Sequence, residues 1–131
     1  MAWKRVDGFR TIEFGSVGES RSAILDCLFN GNKRATAGLL EHDYDAEGES
    51  LAEVGEVLVV LGNELEPVGR IGATRVEVTT FAEVPDEFAL AEAEGDFSAA
   101  DFRASHRAYW TRAGYEISDE TKVVLMYFEL L

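Results

Sequence analysis

The run Gly31-Asn32-Lys33-Arg34-Ala35-Thr36 holds a Gly-x-Lys-x-x-Thr pattern. Glycine lets a backbone turn sharply. Lys and Thr three residues apart in a turning segment can point into one pocket. A lysine partly withdrawn from water can shed its proton and act as a base. A threonine hydroxyl beside such a base becomes an activated nucleophile, and a third polar group would orient the pair. On spacing alone the commoner outcome is a surface turn with a solvated Lys33 and a strand Thr36. The chemical reading predicts that Lys33 and Thr36 line one cleft in mutual reach. It also predicts that Lys33→Ala leaves the fold intact.

Other groups able to do chemistry are fewer. Glu92, Glu94 and Asp96 alternate in an acidic run that by itself reads as a solvated loop. His106 shares a helical face with Phe102, Tyr109, Trp110 and Ala113. It is either a satisfied histidine at the edge of an apolar face or part of a pocket wall that hydrogen-bonds a base. His42, Asp43 and Asp45 have oxygen and nitrogen ligands for a hard metal but read as an exposed acidic loop. The single Cys27 sits beside the apolar stripe of a helix and reads as core. No Cys/His cluster has zinc spacing, and no cofactor or metal is expected.

The elements that must position these groups follow from periodicity. A helix is predicted over residues 19–30, where Ile24 with Leu28 and Leu25 with Phe29 form one stripe, and Gly31 ends it. Residues 35–40 read as a short strand and 41–50 as a loop. Strands follow over 56–61, 67–74 (bulged at Gly69 or Gly72) and 75–81. Pro85 can open a short helix to about residue 91. Ser98 caps a longer one over 99–113, with Gly114 after it. Residues 122–131 close the chain as an apolar strand. Residues 1–18 read as irregular, with 1–11 a flexible N-terminal segment and Trp3, Lys4 and Arg5 without a function. This order is α+β, in one domain over 1–131: a small, mostly antiparallel β-barrel with peripheral helices.

The chain carries 12 Lys and Arg against 25 Asp and Glu, a net charge of −13 over 131 residues. Residues 41–100 alone hold 16 acidic and 2 basic groups, and the first 40 hold 4 and 6. Such a surface argues against wrapping a long phosphate backbone, whose affinity comes from positive charge. No DNA partner is expected. No apolar run approaches the roughly 18 residues of a membrane helix, no secretory leader is visible, and cysteine usage suits a reducing cytoplasm. Oligomeric state is not legible.

The motif and its neighbours resemble the ASCH domain, a relative of the PUA RNA-binding domain. The Gly31–Thr36 pattern lies between the first helix and the next strand, as in that family. Val54-Gly55-Glu56 resembles its turn into the following strand. Thr74-Arg75-Val76-Glu77-Val78, with Phe81 and Val84, resembles its central strand. Ala91-Glu92-Ala93-Glu94-Gly95-Asp96 resembles its acidic segment, and Phe102-Arg103-Ala104-Ser105-His106-Arg107 its His-bearing helix. The resemblance spans about residues 12–130. It implies a PUA-like barrel and a role in RNA or nucleoside metabolism. Small members hydrolyse the amide of N-acylated cytidine, which puts catalytic roles on Lys33, Thr36 and Glu94. Substrate binding would fall to Gly31, Arg34, His106, Arg107 and Trp110, in a cleft joining positive charge to aromatic surface. The implied partner is a small nucleoside or short RNA. Two alternatives remain: a non-catalytic module binding RNA or a nucleotide-like ligand, and a metal-dependent ribonuclease. The last is weakened by Leu125 and Met126, which stand where longer members carry Cys and Glu.

Overall fold

The computed structural model describes residues 3–131. Six strands, β1 (Arg5–Val6), β2 (Phe9–Glu13), β3 (Ala35–Leu39), β4 (Val57–Leu61), β5 (Pro67–Thr80) and β6 (Lys122–Leu130), form one sheet in the order β1-β2-β4-β5-β6-β3. Helices α1 (Glu19–Phe29), α2 (Asp86–Glu92) and α3 (Ala99–Arg112) pack on it. The α+β class holds, but the sheet does not close: β1 and β3 stand at its two ends. The expected barrel is therefore an open sheet. Pairing is antiparallel except for β2 against β4, where Thr11, Ile12 and Glu13 lie opposite Val59, Val60 and Leu61.

Strand β6 shows why residues 123–128 form an unbroken apolar run. Its residues alternate between faces. Val123 and Leu125 enter a core with Phe81, Phe88, Phe102 and Trp110. Met126 and Phe128 enter a second core with Phe14, Leu28, Leu58, Val60 and Ile71. Leu125 and Met126 are 0% and 3% exposed, one in each core, so both faces of the strand are filled with apolar side chains.

Several local expectations are corrected. The segments 67–74 and 75–81 are one strand, β5, because its register slips once, between Ala73 and Arg75, without breaking the pairing with β6. A second slip adjoins Gly69, one of the two positions expected for a bulge: Val60 pairs with Gly69 and Leu61 with Pro67. Residues 3–11 are no flexible tail: they supply β1 and most of β2, and Met1 and Ala2 lie outside the described residues. Trp3 packs edge-on against Tyr44, with ring centroids 5.0 Å apart, and its Nε1 donates to the Asp43 carbonyl at 2.9 Å. The expected loop at 41–50 begins as a π-helical turn, Leu40–Asp45. Within it His42 stacks on Tyr115 and Asp43 Oδ2 accepts the Leu39 N–H at 2.7 Å, so both side chains are engaged locally. Burial raises the Asp43 pKa above the ordinary carboxylate range.

The helix readings hold. Asn30 ends α1 and Gly31 follows in the left-handed region at φ 86°. Ser98 caps α3, its Oγ accepting from the Asp101 N–H at 3.2 Å.

Candidate functional site

The end of α1 turns the motif inward. The backbone N–H groups of Asn32 and Lys33 both donate to the Cys27 carbonyl, at 3.1 and 3.0 Å. This winds the chain back so that Lys33 points under the sheet rather than outward. Lys33 is 1% exposed. Its Nζ donates to the Ala35 carbonyl at 2.8 Å, the Glu92 carbonyl at 3.2 Å and Glu94 Oε2 at 2.6 Å. Three acceptors match the three N–H groups of an ammonium. An ammonium so engaged has no lone pair to offer. One expectation is thereby corrected: Lys33 is a core residue rather than a solvated one, and of the Lys33–Thr36 pair Thr36 is the one that lines the cleft. The role of Lys33 is to position Glu94 and to pin the end of α2.

Glu94 reaches Lys33 through a left-handed residue. Ala93 ends α2 at φ 55°, ψ 40°, a conformation that costs a residue with a Cβ about 1–2 kcal/mol. The Arg34 N–H also donates to the Ala91 carbonyl at 2.8 Å, tying α2 to the start of β3.

Above Lys33 lies a cavity of about 580 Å³, within the range of small-molecule sites. Thr36, Glu94, His106 and Trp110 line it, as do Glu92, Asp96, Ser105 and Tyr109. Trp3, Phe14, Tyr44 and Tyr115 add aromatic surface. Of the residues expected to bind substrate, His106 and Trp110 are in this wall. Gly31 and Arg34 are exposed outside it. Arg107 lies outside too: it stacks over Phe81 and donates to the Ile117 carbonyl at 2.8 Å. Neither Arg103 nor Arg112 lines the cavity among the described residues. Five carboxylates face it (Glu13, Asp43, Glu92, Glu94, Asp96) and one lysine, Lys4. The cleft joins aromatic surface to negative charge, not to positive.

Two of the three residues of the acidic run are not solvated either, and Glu94 is the exposed one. Glu92 is 2% and Asp96 9% exposed, because α2 packs against α3 with Glu92 at its end and the turn that follows lays Asp96 against Ser105 of α3. Asp96 Oδ2 accepts from Ser105 Oγ at 2.9 Å. Glu92 Oε1 has no hydrogen-bond partner; His106 Nε2 stands 3.2 Å away, close but poorly aligned. Burial would lower the His106 pKa. The contact with Glu92 and its charge, then the Glu94 charge and the Phe102 carbonyl, outweigh that and raise it above 6.5.

Glu92, Glu94 and His106 are the residues of metal-binding type that cluster among those described, with ligand atoms within 4.8 Å of one another. The Lys33 ammonium already occupies a cation's place against Glu94. Sequence reading missed Trp3, Tyr44 and Tyr115 as wall residues. They arrive from the N-terminal strap, the π-helical turn and the segment after α3, and no local spacing links them. No helix among the described residues is long and apolar enough to cross a membrane.

Comparison with known proteins agrees with this architecture. No curated protein matches the chain. An ASCH domain from Lactobacillus crispatus JV V101 superposes with a TM-score of 0.75 at 28% identity, covering 93% of this chain and 80% of that one. Protein EF3133 from Enterococcus faecalis V583 gives 0.78 at 20% identity, covering 92% and 76%. Hypothetical protein PH0355 gives 0.58 at 15% identity, covering 92% and 100%. The last two speak for the fold alone. The ASCH domain family model matches residues 10–131, and the chain belongs to the ASCH domain family.

Proposed function

We propose that the protein hydrolyses the amide of an N-acylated, cytidine-like nucleoside, with Thr36 and Glu94 at the reacting centre and Lys33 positioning Glu94. The observation that carries this reading is the 2.6 Å contact of Lys33 Nζ with Glu94 Oε2, beneath a cavity that Glu94 and Thr36 share. Lys33 keeps Glu94 in place, so its carboxylate can take a proton from the Thr36 hydroxyl as that oxygen attacks an acyl carbon. Tyr109 and Tyr115 give a nucleobase flat surfaces to stack on, and the mostly buried Trp110 backs the same wall. The cavity volume suits one nucleoside, and its acidic lining disfavours a phosphate chain.

The test is incubation with N-acylated cytidines, following release of the free nucleoside. Turnover by the native protein, lowered about a hundredfold or more in Thr36→Ala and in Glu94→Gln, supports the reading. Binding without turnover overturns it in favour of a binding module for RNA or a nucleotide-like ligand. Cleavage of RNA that requires a divalent metal moves the assignment to a ribonuclease.

A further inference from the structure

We infer that His106, held as an imidazolium by the buried carboxylate of Glu92, is the acid that protonates the departing nitrogen in that hydrolysis. The donor role rests on the hydrolytic reading; the charged pair rests on geometry alone.

An amide nitrogen leaves poorly without a proton. Lys33 is not placed to give one, since its side chain is fully buried and does not line the cavity. His106 does line it, with 12% of its side chain exposed. Its ring is clamped by Phe102, stacked at 3.9 Å between centroids, and by the edge of Trp110 at 5.2 Å.

Both ring nitrogens face oxygen. Nδ1 is 3.1 Å from the Phe102 carbonyl and 3.8 Å from Asp96 Oδ2. Ser105 Oγ, 3.2 Å from Nδ1, is also within donating distance of Asp96 and the Phe102 carbonyl. Nε2 is 3.2 Å from Glu92 Oε1. A neutral imidazole would set a lone pair against one of these oxygens, whereas an imidazolium presents N–H to both. Glu92 makes the reciprocal demand. Its carboxylate is 2% exposed with Oε1 unbonded, and a buried charge without a counter-charge is strongly disfavoured. His106 is the cation within ion-pair distance of it among the described residues.

The groups facing His106 are Glu92 from α2, Glu94 and Asp96 from the turn that follows, and Ser105 on α3 itself. Lys33 offsets Glu94 from below. The balance stays negative, and the raised His106 pKa agrees with it. Glu92 Oε1 does not take up the Nε2–H in a hydrogen bond, so that N–H remains available to a ligand in the cavity that His106 lines.

The step balances as follows. Thr36 Oγ bonds to the acyl carbon and its proton goes to Glu94. The C–N bond breaks with its electron pair on nitrogen, which takes the Nε2 proton of His106. Water then attacks the acyl-threonine carbon and returns a proton to His106. The C–Oγ bond breaks, and Thr36 recovers its proton from Glu94. The products are a carboxylic acid and the free amine.

The test begins with a nitrogen-15 NMR titration of the full chain, which has two histidines; His42→Gln assigns the signals. His106 is expected to titrate above 6.5, with both nitrogens protonated below its midpoint. Glu92→Gln brings the midpoint down. A His106 midpoint below 6.5, or one unmoved in folded Glu92→Gln, overturns the inference. Should Glu92→Gln fail to fold, Asp96→Asn gives a smaller downward shift, and the native titration still decides. In turnover, the alkaline limb of kcat/KM follows the His106 midpoint. His106→Asn loses about a hundredfold on an N-acylated nucleoside and far less on an ester of the same acyl group with a nitrophenolate leaving group. Equal losses on both overturn the donor role. A shifted His106 in a protein that turns over no N-acylated nucleoside overturns the hydrolytic reading, and the donor role with it, while leaving the charged pair standing.

Discussion

Lys33 Nζ meets Glu94 Oε2 at 2.6 Å across 61 residues of chain. The contact joins the turn after α1 to the turn after α2. It also holds a carboxylate of the cavity lining, Glu94, with a charge that solvent does not reach. Two carbonyls, of Ala35 and Glu92, depend on the same ammonium.

Removing that ammonium is therefore expected to be costly. Lys33→Ala leaves two buried carbonyls without a donor and Glu94 without its cation. Breaking a buried ion pair costs about 3–5 kcal/mol. Glu94 is 30% exposed and can turn to water, which argues for about 3 kcal/mol. Urea denaturation gives the value directly. In the double variant Lys33→Ala/Glu94→Gln part of the loss returns, with a coupling of about 0.5–3 kcal/mol. A single-variant loss under about 0.5 kcal/mol, typical of a surface change, would show that Lys33 is solvated after all.

What the sequence made legible was local. Capped, periodic segments such as α1 and α3 announce themselves through Gly31, Ser98 and their apolar spacings, and β6 through its unbroken apolar run. The Lys33–Thr36 motif was visible as a pattern, but its direction was not. Whether Lys33 points in or out depends on Cys27, Ala91 and Glu94, which lie outside any local window. The same holds for Glu92, whose burial is decided by α3 packing over it. The N-terminal residues misled most. Trp3 and Arg5 have no periodic neighbours, and only partners some 40 residues away, Asp43 and Glu49, order them. An open sheet and a closed barrel share the same strand list. The difference lies in whether the edge strands β1 and β3 meet.

The N-terminal strap should weaken in acid. Glu49 accepts from the Trp3 backbone N–H at 2.7 Å and from Arg5 Nη1 and Nη2 at 2.5 and 2.9 Å. The Arg5 guanidinium holds the Glu49 pKa down, at about 2 against an ordinary 4.5. A carboxylate depressed in the folded state stabilises fully above its unfolded value and loses that contribution as pH falls through the folded one. The window thus runs from 4.5 down to about 2. Stability measured by urea across this window should fall less steeply in Glu49→Gln than in the native protein. Identical slopes would mean that Glu49 is not held by Arg5 in solution.

His106 gives the opposite sign at higher pH. Its pKa is raised above 6.5, so its contribution is complete below 6.5 and fades as pH rises through the folded value. The acid side of neutrality is thus where the cavity carries most positive charge, and even there carboxylates outnumber cations on its lining. A phosphate in this cavity meets Glu92, Glu94 and Asp96 with only Lys4 and His106 to answer them, since Arg34 and Arg107 lie outside. We therefore expect a cytidine nucleoside to bind at least about tenfold more tightly than its 5′-monophosphate, a difference of about 1.4 kcal/mol. Raising salt from about 0.1 M to about 1 M shortens the Debye length from about 10 Å to about 3 Å. Over that range affinity for the nucleoside should stay flat and affinity for the monophosphate should rise, because repulsion is being screened. Calorimetric titrations at the two salt concentrations decide it. Tighter binding of the monophosphate, or affinity for short RNA that falls steeply with salt as phosphate contacts require, would place the ligand on the outward arginines rather than in this cavity.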